Sequence, residues 1–145
     1  MTNVIDGFEG KYEFLSNAYI CNIEYGGLKY TNVEAAYQAQ KCKDKNAMNK
    51  FTRLSSAKAR AKGRNIEENE SFEENKTQIM HDILICKFTQ NEDLKKKLLD
   101  TKDAKLINNT TFRDTYWGVY LGGTGHNILG KMLELVRAEI TMTSN

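Results

Sequence analysis

The sequence predicts a mostly helical α+β fold in one domain, with a small N-terminal antiparallel hairpin or sheet. Three observations carry that prediction. The segment YICNIEYGGLKYT alternates around Gly26-Gly27, the pattern of a tight hairpin. From Thr31 onward the apolar spacing changes to the period of about 3.6 expected of helices. The chain has 145 residues, the size of one domain, and shows no repeat, low-complexity tract or linker. The predicted domain therefore spans residues 1–145.

Each element after the hairpin follows from local signals. Thr31-Asn32-Val33-Glu34 has the form of a capping box, and predicts a helix from Asn32 to about Lys43. Ala47, Met48, Phe51 and Leu54 mark a second helical stretch. Ser56 to Lys62 is a short third helix, with Gly63 expected to stop it in a left-handed conformation. Ser71-x-x-Glu74 is another capping box, opening a longer helix that buries Phe72, Ile79, Met80, Ile83, Leu84 and Phe88. NEDLKKKLLDT starts on an asparagine cap and buries Leu94, Leu98 and Leu99. KLINNT reads as a short strand. The last helix turns Leu129, Met132, Leu133, Val136 and Ile140 to the core.

Composition narrows the class. With 40% hydrophobic and 28% charged residues the chain is ordinary globular protein. Its N-terminus lacks a secretory pattern, and no segment approaches the roughly 18 apolar residues of a membrane span. A soluble, cytoplasmic protein without a membrane partner is expected. Three cysteines, Cys21, Cys42 and Cys86, form no C-x-x-C, and only His81 and His126 are available as histidine ligands. A disulfide framework and a metal site are therefore not expected. The net charge of +2 is unevenly spread. Lys41 to Arg64 holds nine Lys/Arg and one acid, whereas Asn65 to Gln78 holds five glutamates and one lysine. Such blocks are solvated helix faces or, for the basic one, a phosphate- or nucleic-acid-binding patch.

Two constellations can carry chemistry. On the first helix Glu34, Gln38 and Lys41 fall within an arc of about 60° beside the apolar arc of Val33, Ala36 and Tyr37. Ala35 and Ala39 are expected on the side furthest from the core. The polar stripe is either the wall of a cleft or a surface network of helical neighbours. The second constellation is DTYWGVYLGGTGHNILGK. Gly125-x-x-x-x-Gly130-Lys131 imitates a P-loop, but Met132 replaces the required Ser or Thr. Ile128-Leu129 already begins the last helix, so Gly130-Lys131 should lie inside it. Gly122 to Asn127, by contrast, leads into a helix start and is expected to face an anion. Asp114 and the sole tryptophan, Trp117, suit charge handling beside a stacking ring. Two carboxylates, a lysine, a ring and an anion-facing loop together suit cleavage at a sugar carbon through an oxocarbenium-like state.

GKYEFLSNAYICNIEYGGLKYTNVEAAYQAQK, MHDILICKFTQNEDLKKKLLDT and DTYWGVYLGGTGHNILGKMLELVR occur in the order seen in the YbiA-like, or NADAR, family. The chain resembles that family from about Gly7 to Arg137. The resemblance implies an N-glycosidase acting on ribose-linked bases, without cofactor or metal. One branch hydrolyses phosphorylated ribosylaminopyrimidine intermediates of riboflavin synthesis, and another removes ADP-ribose from modified guanine in nucleic acid. The family motifs fall on Glu34, Gln38 and Lys41; on Asp114, Trp117 and Gly118; and on Gly125, Asn127, Gly130 and Lys131. Ser16 and Asn17 occupy its early F-x-S-N-like element.

Implied roles follow from that correspondence. Glu34, Asp114 and Lys41 are the catalytic candidates. Trp117 would stack on the base, while the two acids stabilise the sugar cation, position water or shuttle protons. Lys41 would either hold phosphate or attack the ring-opened ribose C1 to give a Schiff base. Asn127 and loop amides, including those of Gly123 and Gly125, would bind sugar or phosphate. Three positions depart from the common family pattern: Ala35 replaces a histidine, Phe72 a tryptophan and Asn108 a glutamate. The basic block points first to ADP-ribosylated guanine in DNA or RNA, with the riboflavin-type phosphate as the alternative. A non-catalytic ADP-ribose or nucleotide-binding module is the rival class, favoured by the missing acid at Asn108.

Overall fold

The computed structural model describes residues 3–111 and 113–143. In chain order its elements are β1 (Val4–Asp6), a 3-10 helix (Gly10–Leu15), β2 (Ile23–Tyr25), β3 (Leu28–Tyr30), α1 (Val33–Ala39), α2 (Lys45–Asn49) and α3 (Ser56–Gly63). These are followed by α4 (Phe72–Gln90), α5 (Glu92–Asp100), β4 (Lys105–Ile107), β5 (Asn109–Thr110), β6 (Val119–Tyr120) and α6 (Ile128–Thr143). The architecture is α+β with helices dominant. It divides into two compact units, residues 17–92 and residues 1–16 with 93–145.

In the 17–92 unit the predicted hairpin is present: β2 and β3 pair antiparallel, Ile23 opposite Tyr30 and Tyr25 opposite Leu28. Both turn glycines have positive φ, +60° and +83°, the conformation that a two-residue hairpin turn of the primed type demands. α1 lies at the centre of this unit, against α2, α3, α4 and both hairpin strands. Val33, Ala35, Ala36, Tyr37 and Ala39 are all buried. The expectation that Ala35 and Ala39 face away from the core is thus corrected, because a helix enclosed on every side needs small residues where neighbours approach.

The helix ends also differ from expectation. Asn32, not Thr31, caps α1: its Oδ1 accepts from the Ala35 amide at 2.8 Å and its Nδ2 donates to the Leu54 carbonyl at 2.9 Å. α1 stops at Ala39, short of Lys43. Ser71 makes no side-chain cap on α4; Asn69 Oδ1 instead accepts from both the Ser71 amide and hydroxyl. Gly63 is not a left-handed stop but the last residue of α3, followed by Arg64 in the right-handed region at φ −63°. α4 buries Phe72, Met80, Ile83, Leu84 and Phe88 as predicted, leaves the predicted Ile79 half-buried, and buries Lys87 as well.

In the other unit β1 pairs with β4 in parallel, Ile5 opposite Leu106, and β5 pairs with β6 in parallel, Asn109 opposite Val119. KLINNT therefore supplies two short strands. α6 packs on β4 and buries Leu129, Met132, Leu133, Val136 and Ile140, the predicted stripe. α5 buries Leu94 and Leu98. Among the described residues no helix is long and apolar enough to cross a membrane.

Candidate functional site

The polar face of α1 carries a hydrogen-bonded, charge-paired cluster in the 17–92 unit. Glu34 lies in the first turn, its amide bonded to the Asn17 carbonyl at 3.1 Å. Gln38 follows one helical turn later, so helical spacing brings the two side chains together. Gln38 Nε2 donates to Glu34 Oε2 at 2.7 Å. The other carboxylate oxygen, Oε1, lies 3.8 Å from the Arg60 guanidinium on α3. The Glu34 side chain is only 14% exposed and that of Arg60 31%. A carboxylate held by a neutral amide on one oxygen and a cation near the other is fixed in orientation and compensated in charge. The stripe is thus a partly buried network of helical neighbours, Gln38 on Glu34, joined by Arg60 of α3.

Arg60 is the member that the sequence did not single out, since nothing local distinguishes it within a basic block. Lys41 follows the end of α1, half-buried, with its amine 5.7 Å from the centre of the Phe72 ring, a cation–π distance. Asn17 gives its carbonyl to Glu34 and its Nδ2 to Met80 Sδ at 3.7 Å. Ser16 belongs to the other unit, where its amide closes the 3-10 helix on the Glu13 carbonyl.

The turn-rich segment from Asp114 to Lys131 is built differently. Asp114 Oδ1 accepts from the amides of Tyr116 and Trp117, at 3.2 and 2.9 Å, so the acid organises its own turn. The half-buried Trp117 meets Tyr116 edge-on, 4.8 Å between ring centres. Several of the loop amides expected to face an anion have partners within the protein. Gly122 donates to Asn109 Oδ1 and Gly123 to the Tyr120 carbonyl. His126, Asn127, Ile128 and Leu129 donate to the carbonyls of Thr115, Gly118, Tyr116 and Trp117. The amides at the start of α6 are thereby satisfied by the carbonyls of residues 115–118, which removes those donors from an anion.

Asn127 serves the same framework. Its Oδ1 accepts from the Asn108 amide at 2.8 Å and its Nδ2 donates to the Leu106 carbonyl at 2.9 Å, with the backbone at φ +52°. Asn108, at the position of the common family acid, donates to the Trp117 carbonyl at 3.2 Å. The glycines permit close contact: a Cβ on Gly118 would meet the Asn108 carbonyl, on Gly125 the Gly118 carbonyl, and on Gly130 the Leu106 carbonyl. Gly130 and Lys131 lie inside α6, as the rejection of a P-loop required.

Other candidate groups divide by burial. Burial, then Asp44, pushes the Cys42 thiol up, and burial, then Asp82, does the same for Cys86, which opposes a nucleophilic thiolate. Lys87 is 0% exposed, with its amine 5.7 Å from the centre of the Tyr19 ring and 5.1 Å from that of Phe88. Desolvation lowers its pKa to about 8.

Comparison with known proteins decides the family. The NADAR domain matches residues 7–141. The chain belongs to the NADAR family. It is 34% identical over 134 residues to an N-glycosidase YbiA of Shigella boydii, covering 90% of this chain and 83% of that protein. A riboflavin biosynthesis protein of Vibrio vulnificus is 33% identical over 130 residues, 88% of this chain but 35% of its own length. The NMR structure of YbiA from Escherichia coli superposes with a TM-score of 0.86 at 31% identity, covering 99% of this chain and 89% of that one.

Proposed function

We propose that this NADAR protein is an N-glycosidase that hydrolyses the bond between a ribose carbon and a base or amine in a phosphorylated substrate. The observation that carries the reading is the half-buried Glu34 carboxylate, oriented by Gln38 at 2.7 Å with Arg60 at 3.8 Å. In this reading C1–N cleavage leaves positive charge on the sugar, which a fixed carboxylate stabilises. Water then adds hydroxide to C1, and its proton goes to the departing nitrogen. Glu34 stabilises the cation or moves that proton. By family correspondence Asp114 is the second acid and Trp117 the ring that stacks on the base. The name of the Shigella relative supports this reaction class.

Lys41 holds phosphate in this account, or its amine attacks the ring-opened C1. In the second case it displaces the base nitrogen, which leaves as the amine, and forms a Schiff base that water then hydrolyses. Borohydride trapping followed by peptide mapping separates the two roles. A ribosyl adduct on Lys41 supports attack, whereas no Lys41-dependent adduct leaves phosphate binding. Among substrates, the basic Lys41–Arg64 block supports ADP-ribosylated guanine in nucleic acid. The name of the Vibrio relative favours the second reading, a ribosylaminopyrimidine phosphate. The test is a base-release assay on both substrate classes, at two salt concentrations. Cleavage that weakens steeply with salt supports a nucleic-acid substrate. Salt-insensitive cleavage of the free phosphate supports the second. A protein that binds ADP-ribose but releases base from neither is a binding module, and the proposal fails.

A further inference from the structure

We propose that Gly63 is a positioning residue for the Glu34 carboxylate, acting through Gln38; the inference rests on the N-glycosidase reading above. Gly63 is buried in the last turn of α3, one turn beyond Arg60. Its backbone is not left-handed, so alanine is conformationally allowed there and is the better helix former. Backbone freedom therefore does not explain the glycine. Space does. A Cβ built on Gly63 would overlap Gln38 Oε1 and come within 2.7 Å of Gln38 Cδ.

Gln38 is 7% exposed, and its Oε1 has no hydrogen-bond partner among the described residues. That oxygen instead faces the Cα–H of Gly63 which replaces the Cβ, a weak C–H···O contact. With the oxygen seated against Gly63, the other end of the amide, Nε2, is aimed at Glu34 Oε2. The absent side chain thus fixes the direction of a donor that in turn fixes the carboxylate. A methyl group at residue 63 must rotate or displace that amide, because the rest of α1 is enclosed and has little room to retreat. Arg60 acts from the same helix on the other carboxylate oxygen. One face of α3 therefore sets Glu34 from both sides.

The test is a double-mutant cycle between Gly63→Ala and Gln38→Ala, read by kinetics and by the Gln38 side-chain amide signal in NMR. Gly63→Ala should lower kcat about 10- to 100-fold, the scale of a misplaced catalytic group, with KM changed less than about threefold. In the Gln38→Ala background the same substitution should change kcat by less than about twofold, because the clash has been removed. If Gly63→Ala alone does not fold, the double variant should fold as Gln38→Ala does. The Gln38 amide resonance should move in Gly63→Ala, a readout independent of turnover. An unmoved amide signal overturns the proposal, as does an equal loss of kcat, or of folding, in both backgrounds. If the signal moves in Gly63→Ala while the wild type releases no base, the positioning contact stands and the N-glycosidase reading alone is rejected.

Discussion

The α1–α3 contact and the Asp114–Lys131 segment both combine a carboxylate with close-packed glycine, and they use that combination in opposite ways. On α1 the glycine of a neighbouring helix admits a side-chain amide, and the acid is oriented by side chains. In the second segment Gly118, Gly125 and Gly130 admit backbone carbonyls, and Asp114 and Asn127 spend their side chains on backbone groups. The first arrangement holds a charged group ready beside a cation. The second builds the framework on which Trp117 is carried. Resemblance in motif is therefore a poor guide to role, and the destination of each hydrogen bond is a better one.

The difference can be broken first at Asn127. Asn127→Ala removes two bonds to the backbone and leaves a non-glycine residue with left-handed φ. A loss of about 3 kcal/mol, or about 6–12 °C in Tm, is expected. A Tm within about 2 °C of wild type in thermal denaturation would contradict the framework role.

A comparable effect, of different origin, is expected at Lys87. Its folded pKa of about 8 lies below the ordinary lysine value of 10.5, so between those values the unfolded chain binds more protons. Stability contributed through this group must rise as pH rises from about 8 to about 10.5. Below about pH 8 the full cost of the buried charge is present, roughly 3 kcal/mol. Lys87→Met should therefore be more stable than wild type at pH 7, with the gap closing by about pH 10.5. Tyr30, pushed up to about 12 by burial, titrates in both proteins and cancels in the difference. A pH-independent gap in urea denaturation would assign the effect to packing.

A smaller effect sharpens the comparison at Asp114. Asp114→Ala should cost about 1 kcal/mol, as expected for a lost capping acceptor, whereas Asp114→Asn keeps the accepting oxygen and should leave Tm nearly unchanged. Loss of turnover in the asparagine variant then reports charge at residue 114, because the turn is intact. Full turnover would assign Asp114 to the framework alone.

What the sequence revealed and what it concealed follow the same physical line. The hairpin at Gly26-Gly27 and the stripes of α4 and α6 were legible because they are local or periodic. The placement of Gly130-Lys131 inside α6 followed from the stripe. Thr31 was mistaken for the cap of α1 because the box rule weighs Glu34, whereas Asn32 gains a second bond to Leu54 that local sequence does not show. The parallel β1–β4 pair joins three-residue strands from opposite ends of the chain and leaves no periodic signal. Spacing and family resemblance single out Glu34, Gln38 and Lys41 as candidates. Arg60 and Gly63 are not singled out, since they meet Glu34 and Gln38 only when α3 packs on α1.

The central claim is that the Glu34 carboxylate on α1 performs chemistry, and Glu34→Gln tests it most directly. The substitution preserves an oxygen acceptor for Gln38 and removes the charge. Single-turnover base release, measured beside Tm on the same preparation, should fall by about 10²- to 10⁴-fold with Tm nearly unchanged. Release at the wild-type rate from a folded Glu34→Gln protein would contradict the account.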